Sequence, residues 1–118
     1  RFTKSFGYAE EGIRYAFYHE QNIIVMLVMG IVAMILGMIL GISYTERLVV
    51  ILLIGMILSL EMINTAIEAV VDLVTTEKKP LAKVAKDCAS GAVGIASIFA
   101  FILGILIYLP KLIEFFRG

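Results

Sequence analysis

Residues 61–72 read EMINTAIEAVVD and follow the uncharged run LVVILLIGMILSL, so Glu61, Asn64, Glu68 and Asp72 continue an apolar segment. With Glu61 as zero on a helical wheel, Asn64 falls at about 300°, Glu68 at about 340° and Asp72 at about 20°. The four groups share an arc of about 80° and form one polar stripe. Along the axis Glu68 lies about 10 Å from Glu61, and Asp72 about 16 Å. A carboxylate at the centre of a bilayer costs roughly 2.5–3.5 kcal/mol on insertion scales. Two of them weigh heavily against a total stability of about 5–15 kcal/mol. A stripe this costly is expected to serve a site.

Two chemistries suit it. One is proton or ion movement, with Glu61 as the carrier. The other is metal-assisted chemistry at the membrane surface. The segment EKKPLAKVAKD follows closely and sets Lys78, Lys79, Lys83 and Lys86 at the mouth of the stripe. Carboxylates that hold Mg²⁺ and lysines that neutralise phosphate oxygens together suit a metal–polyphosphate ligand. The plainer reading of the lysines is a topology signal plus attraction to anionic lipid. The chain has no P-loop and no kinase glycine loop, so a nucleotide site would need another design.

Helices must carry this stripe. The chain has 118 residues, 61% hydrophobic and 17% charged, with a mean hydropathy of +1.00. Soluble domains use about 45–50% apolar residues, and a chain this short could not bury the excess. The expected class is an all-α integral membrane protein of one small domain. Its expected parts are a surface helix at 1–21, spans at 23–42, 46–75 and 88–110, and a loop at 76–87. Pro110 is expected to end or kink the last span. Arg1, Lys4, Arg14, Lys78, Lys79, Lys83 and Lys86 fall on one side, against Arg47, Lys111 and Arg117 on the other. The positive-inside rule then puts the N-terminus and the 76–87 loop in the cytoplasm. Net charge is zero, which offers no overall basic field for nucleic acid.

Phe2, Phe6, Ala9, Ile13 and Phe17 recur at helical spacing and predict an amphipathic helix in the headgroup layer. Glu20 projects onto that same face, so a regular helix would aim its carboxylate at the bundle; the alternative is a solvated charge at a helix end. The segment lacks the continuous apolar stretch of a cleavable signal. Gly37 with Gly41, and Ala92, Ala96, Ala100 and Gly104, mark places where helices can approach closely. A lone three-helix unit encloses little space, which favours an oligomer. Cys88 reads as a small apolar residue at a helix start.

EMINTAIEAVVD resembles the signature of the prokaryotic diacylglycerol kinase and undecaprenol kinase family. The similarity extends to FTKSFGYAEEGIRYAFYHE and AKDCASGAV, and so covers nearly the whole chain. The resemblance implies a three-span membrane enzyme with an N-terminal surface helix. It implies a homotrimer with active sites shared between subunits, which moves the γ-phosphate of MgATP to a lipid hydroxyl. Glu61 matches the catalytic base. Glu20 and Glu68 match the metal-binding pair, and also contact the nucleotide. Tyr8, Glu77, Lys86 and Asp87 match nucleotide contacts, and Asn64 a polar active-site position; Asp72 lies at the mouth of the stripe. Lys79 stands where some members carry histidine. FTK matches FTR in other members with a shorter spacing to the following GY, leaving Lys4 open between phosphate and lipid.

The residues agree with these roles on their own terms. Glu61 is deepest, where removal from water makes a carboxylate a better proton acceptor. Glu68 is nearer the surface where a metal and a nucleotide arrive, and Glu20 is expected within metal-sharing distance of it. The KKPLAKVAKD loop is closer to the Gram-positive branch, which implies undecaprenol as acceptor; diacylglycerol is the alternative. A proton- or ion-conducting subunit needs Glu61 but not Glu20, Lys86 or Asp87. A third reading makes the stripe a docking face for an assembly partner.

Overall fold

The computed structural model describes residues 2–118; Arg1 and the Phe2 side chain, which entered the charge count and the apolar stripe, lie outside the described residues. Four helices follow one another among these residues: α1 (Phe2–His19), α2 (Gln21–Leu40), α3 (Tyr44–Val74) and α4 (Pro80–Arg117). The last three are each long and apolar enough to cross a membrane. At 1.5 Å per residue, α3 with its 31 residues is about 46 Å long, well beyond a hydrocarbon core of about 30 Å. Part of α3 must therefore project into the interface.

Each junction has a local cause. Glu20 adopts an extended conformation (φ −126°, ψ 101°) that separates α1 from α2. The expected regular helix through residue 20 does not form. At the end of α2, Gly41 takes the left-handed conformation (φ 72°) that closes a helix, and its N–H bonds Gly37 O at 2.9 Å. Only glycine adopts that conformation without a Cβ penalty. Two residues later Ser43 and Glu46 form a reciprocal cap: the Glu46 N–H donates to Ser43 Oγ, and the Ser43 N–H to Glu46 Oε1. This pairing satisfies two donors that a helix start leaves open.

The α3–α4 turn is shorter than expected. Thr75 ends α3, and Pro80 stands at the first position of α4. Proline has no N–H to lose there and its φ is already helical. Lys83, Lys86 and Asp87 thus ride on α4 rather than in a loop. At the other end α4 runs through Pro110 to Arg117 instead of stopping. Membrane helices tolerate the missing hydrogen bond because neighbouring groups can take up the freed carbonyl.

α2, α3 and α4 meet in an apolar core around Ile42, Val50 and Ile107, with Met34, Ile54 and Tyr108 against it. Two glycines on α2 permit this contact. A Cβ on Gly30 would stand 3.0 Å from Ile54 Cγ2, and one on Gly37 only 2.7 Å from Ile42 Cδ1. The close approaches on α2 are thus seven residues apart, at Gly30 and Gly37, while Gly41 serves as a cap. Tyr108 crosses from α4 to donate to Ala33 O at 2.6 Å. Along α4, Ala92 and Ala96 do not close on α3; they line an open apolar groove with Leu53, Met56, Ile57, Leu60, Ile95 and Phe99.

Candidate functional site

The opposite end of the bundle is polar. On α3, Glu61 is 2% exposed, Asn64 7% and Thr65 9%. Ala16 on α1 and Ile23 on α2, flanking the Glu20 break, are buried too, as are Ala89 and Val93 on α4. The small side chain of Ala16 lets the end of α1 close on the bundle. The break at Glu20 then turns its carboxylate toward α3.

The structure brings together three of the predicted carboxylates. Glu20 Oε2 lies 3.4 Å from Thr65 Oγ1, across 45 positions of sequence. Glu68 Oε1 accepts from Asn64 Nδ2 at 3.0 Å. Glu61, one turn before Asn64 and Thr65 on the same helix, feels the charges of both Glu20 and Glu68. Among the described residues, the ion pairs reach none of these three carboxylates. Glu20 and Glu68 are held by neutral donors, so no direct ion pair cancels their charge.

Such a group has a use for a cation. Carboxylate and amide oxygens are hard donors of the kind Mg²⁺ prefers. Asn64 Oδ1 is buried with no hydrogen-bond partner, beside the very carboxylate that its amino group holds. Among the described residues, no three His, Cys, Asp or Glu side chains converge closely enough to hold a metal alone. Mg²⁺ commonly takes one or two carboxylates and completes its shell with phosphate oxygens and water. The residues present fit that pattern.

The mouth is organised by ion pairs between acids and lysines. Lys86 Nζ donates to Asp72 Oδ1 at 2.7 Å and ties the start of α4 to the end of α3. Lys86 also lies within the field of Glu68. Lys83 pairs with Asp87 one turn along α4. Lys79 pairs with Glu77 at 3.4 Å in the turn. Of the predicted nucleotide contacts, Lys86 borders the carboxylate group, while Asp87 and Glu77 are exposed at the mouth. Tyr8, 69% exposed on α1, and Lys4 are not joined to the stripe by any described hydrogen bond or ion pair. The sequence reading missed Thr65. It stands about 40° from Glu61 on the wheel, just beyond the Asp72 edge of the arc.

The chain that carries this stripe is similar to known proteins. Residues 7–108 match the family model described as "Prokaryotic diacylglycerol kinase". The chain belongs to that family. A relative named "Undecaprenol kinase" from Bacillus subtilis is 44% identical over 112 residues, spanning 95% of this chain and 91% of the relative. One named "Diacylglycerol kinase" from Synechocystis is 38% identical and covers 93% of this chain, which spans only 63% of that relative. A "Diacylglycerol kinase" from Escherichia coli is 34% identical over 86% of this chain and 84% of its own length. Membership in a family of membrane kinases leaves the ion-conducting and assembly-partner readings without support.

Proposed function

We propose that the chain is an ATP-dependent lipid-alcohol kinase of the bacterial cell membrane, with undecaprenol as its acceptor. The observation that carries the proposal is the buried Glu61, flanked by Glu20 and Glu68 at the polar end of the bundle. In this reading Glu61 takes the proton of the lipid hydroxyl. The hydroxyl oxygen forms its bond to the γ-phosphorus as the bond from phosphorus to the bridging oxygen breaks, leaving ADP. Glu20 and Glu68 would hold Mg²⁺, which neutralises phosphate charge when bound. Lys86 offers an ammonium to the same phosphates from the far side of Glu68. Tyr8, Glu77 and Asp87 complete the nucleotide site, with Asn64 and Asp72 ordering its polar wall. Most of the catalytic effect is then positioning and charge neutralisation, which is what phosphoryl transfer asks of a protein.

Undecaprenol is favoured over diacylglycerol by the 44% identity to the relative bearing that name, over nearly the full length of both chains. Diacylglycerol is the second reading, supported by several relatives with that name. The lysine and arginine distribution supports a cytoplasmic N-terminus and α3–α4 turn, where ATP is available. α1 is proposed to lie in the headgroup layer: Phe6 is 74% and Ile13 46% exposed, so the bundle itself does not cover that stripe. The assembly is proposed to be a homotrimer with shared sites. Gly91, Gly94 and Gly104 on α4 face open space, and small residues in lipid favour close approach of further helices.

The test is to supply each lipid with MgATP to the purified chain in mixed micelles and follow phosphate transfer. Faster transfer to undecaprenol supports the first reading, and faster transfer to diacylglycerol the second. If neither lipid is phosphorylated, the kinase proposal fails.

A further inference from the structure

We infer that Thr65 is a positioning residue for Glu20, holding that carboxylate in place for a divalent cation. The inference rests on the proposed metal role of Glu20. Nothing on its own helices fixes this side chain. Glu20 occupies the position that caps α2, but its carboxylate makes no cap hydrogen bond. Only its backbone is anchored there, through the N–H donated to Ala16 O at 2.8 Å. The donor that meets the carboxylate is Thr65 Oγ1, on another helix and buried.

The hydroxyl carries one proton and faces two acceptors. Glu61 O is 3.0 Å away and Glu20 Oε2 3.4 Å away. Glu61 O lies in the interior of α3, where the helical ladder already supplies it with the Thr65 N–H. Turning the hydroxyl to Glu20 therefore strands no acceptor, and a proton shared between two acceptors is a common arrangement in helices.

A neutral donor is the right kind of group at this place. Glu20 shares the field of Glu61, a like charge, and sits in an extended junction without a side-chain cap bond. A lysine would restrain it but would also cancel the charge a cation needs. A hydroxyl restrains it and leaves the charge intact. Threonine is stiffer than serine because its β-branch limits χ1.

The experiment measures binding of a non-hydrolysable ATP analogue to the full chain in micelles as a function of Mg²⁺ concentration. Thr65→Val keeps the shape and removes the hydroxyl. It is expected to raise the Mg²⁺ needed for half-maximal binding by about tenfold, the scale of one hydrogen bond to a charged group. Thr65→Ser keeps the hydroxyl and should stay within about threefold of the parent chain by the same reasoning. In a Glu20→Gln background Thr65→Val should add nothing. A packing role predicts the reverse order, with serine worse than valine, and would overturn the inference. So would an unchanged Mg²⁺ requirement in Thr65→Val, an equal further loss in the Glu20→Gln background, or a Thr65→Val chain that does not fold while Thr65→Ser does. The kinase reading is judged separately: a parent chain that binds the analogue with Mg²⁺ yet phosphorylates neither lipid refutes that reading and leaves Thr65 in its role.

Discussion

Glu61→Gln separates chemistry from binding. The side chain is 2% exposed, and glutamine has nearly the same shape, so the change opens no cavity. It removes the ability to take a proton. A positioned general base contributes about 10²–10⁴ in rate, or about 2.7–5.5 kcal/mol of barrier. The substitution also removes one of three clustered negative charges, so unfolding should be no easier than in the parent chain. Nucleotide binding should persist, because Glu20 and Glu68 remain. The assay is single-turnover transfer of labelled phosphate to lipid in micelles, run beside analogue binding and thermal unfolding on the same samples. Glu61→Asp adds a graded control: the base survives but is withdrawn by one methylene, so an intermediate rate is expected. A Glu61→Gln rate within about tenfold of the parent would fall below the smallest effect expected of a base and refute that role. Parallel loss of nucleotide binding would show that Glu61 acts on the metal or the nucleotide instead.

Glu68→Gln should raise the Mg²⁺ concentration required for analogue binding, and an unchanged requirement would remove Glu68 from metal ligation. Lys86→Met should weaken nucleotide binding while leaving thermal stability nearly unchanged. Its ion pair with Asp72 is formed by side chains 42% and 57% exposed, and such solvent-screened pairs add little stability; a clear loss of stability would make Lys86 structural. Gly37→Ala should destabilise the bundle by no more than about 1–2 kcal/mol, because overpacking of about 1–3 kcal/mol, with its Cβ 2.7 Å from Ile42 Cδ1 and 3.1 Å from the Tyr108 hydroxyl, is offset by alanine's better helix propensity of about 1 kcal/mol. Denaturant unfolding in micelles measures it, and a raised midpoint would contradict the close α2 contact.

The polar stripe was legible in sequence because it depends on one number, the angle per residue. That angle holds along all of α3, so Glu61, Asn64 and Glu68 could be placed together before any tertiary contact was known. Glu20 was harder. Its expected direction came from a regular helix, and the structure breaks that helix at Glu20. The carboxylate reaches α3 by way of the break. Thr65 lay just outside the legible arc, and threonine in a membrane helix ordinarily returns its hydroxyl to the carbonyl one turn back. Only the arrival of Glu20 from 45 residues away distinguishes it. The glycine contacts were legible in part: Gly37 packs closely as its four-residue spacing suggested, while Gly30, which meets Ile54 of α3, has no small residue at that spacing to mark it. The pairing at the mouth depends on where α4 starts, and Pro80 sets that start earlier than a count of uncharged residues suggests.

The distribution of charge partners gives the site its logic. At the mouth, Lys79, Lys83 and Lys86 are engaged with Glu77, Asp87 and Asp72, acids that lie at the surface. Among the described residues, the hydrogen bonds to the Glu20 and Glu68 side chains come from a hydroxyl and an amide. Exchanging these assignments, so that lysine met Glu68, would relieve the repulsion among the three acids and lower the burial cost. It would also leave nothing for a cation to neutralise. Lys86 comes close enough to feel Glu68 but gives its hydrogen bond to Asp72. Under the proposed function, Asp72 would then hold the lysine beside the phosphate site and away from the carboxylate assigned to the metal.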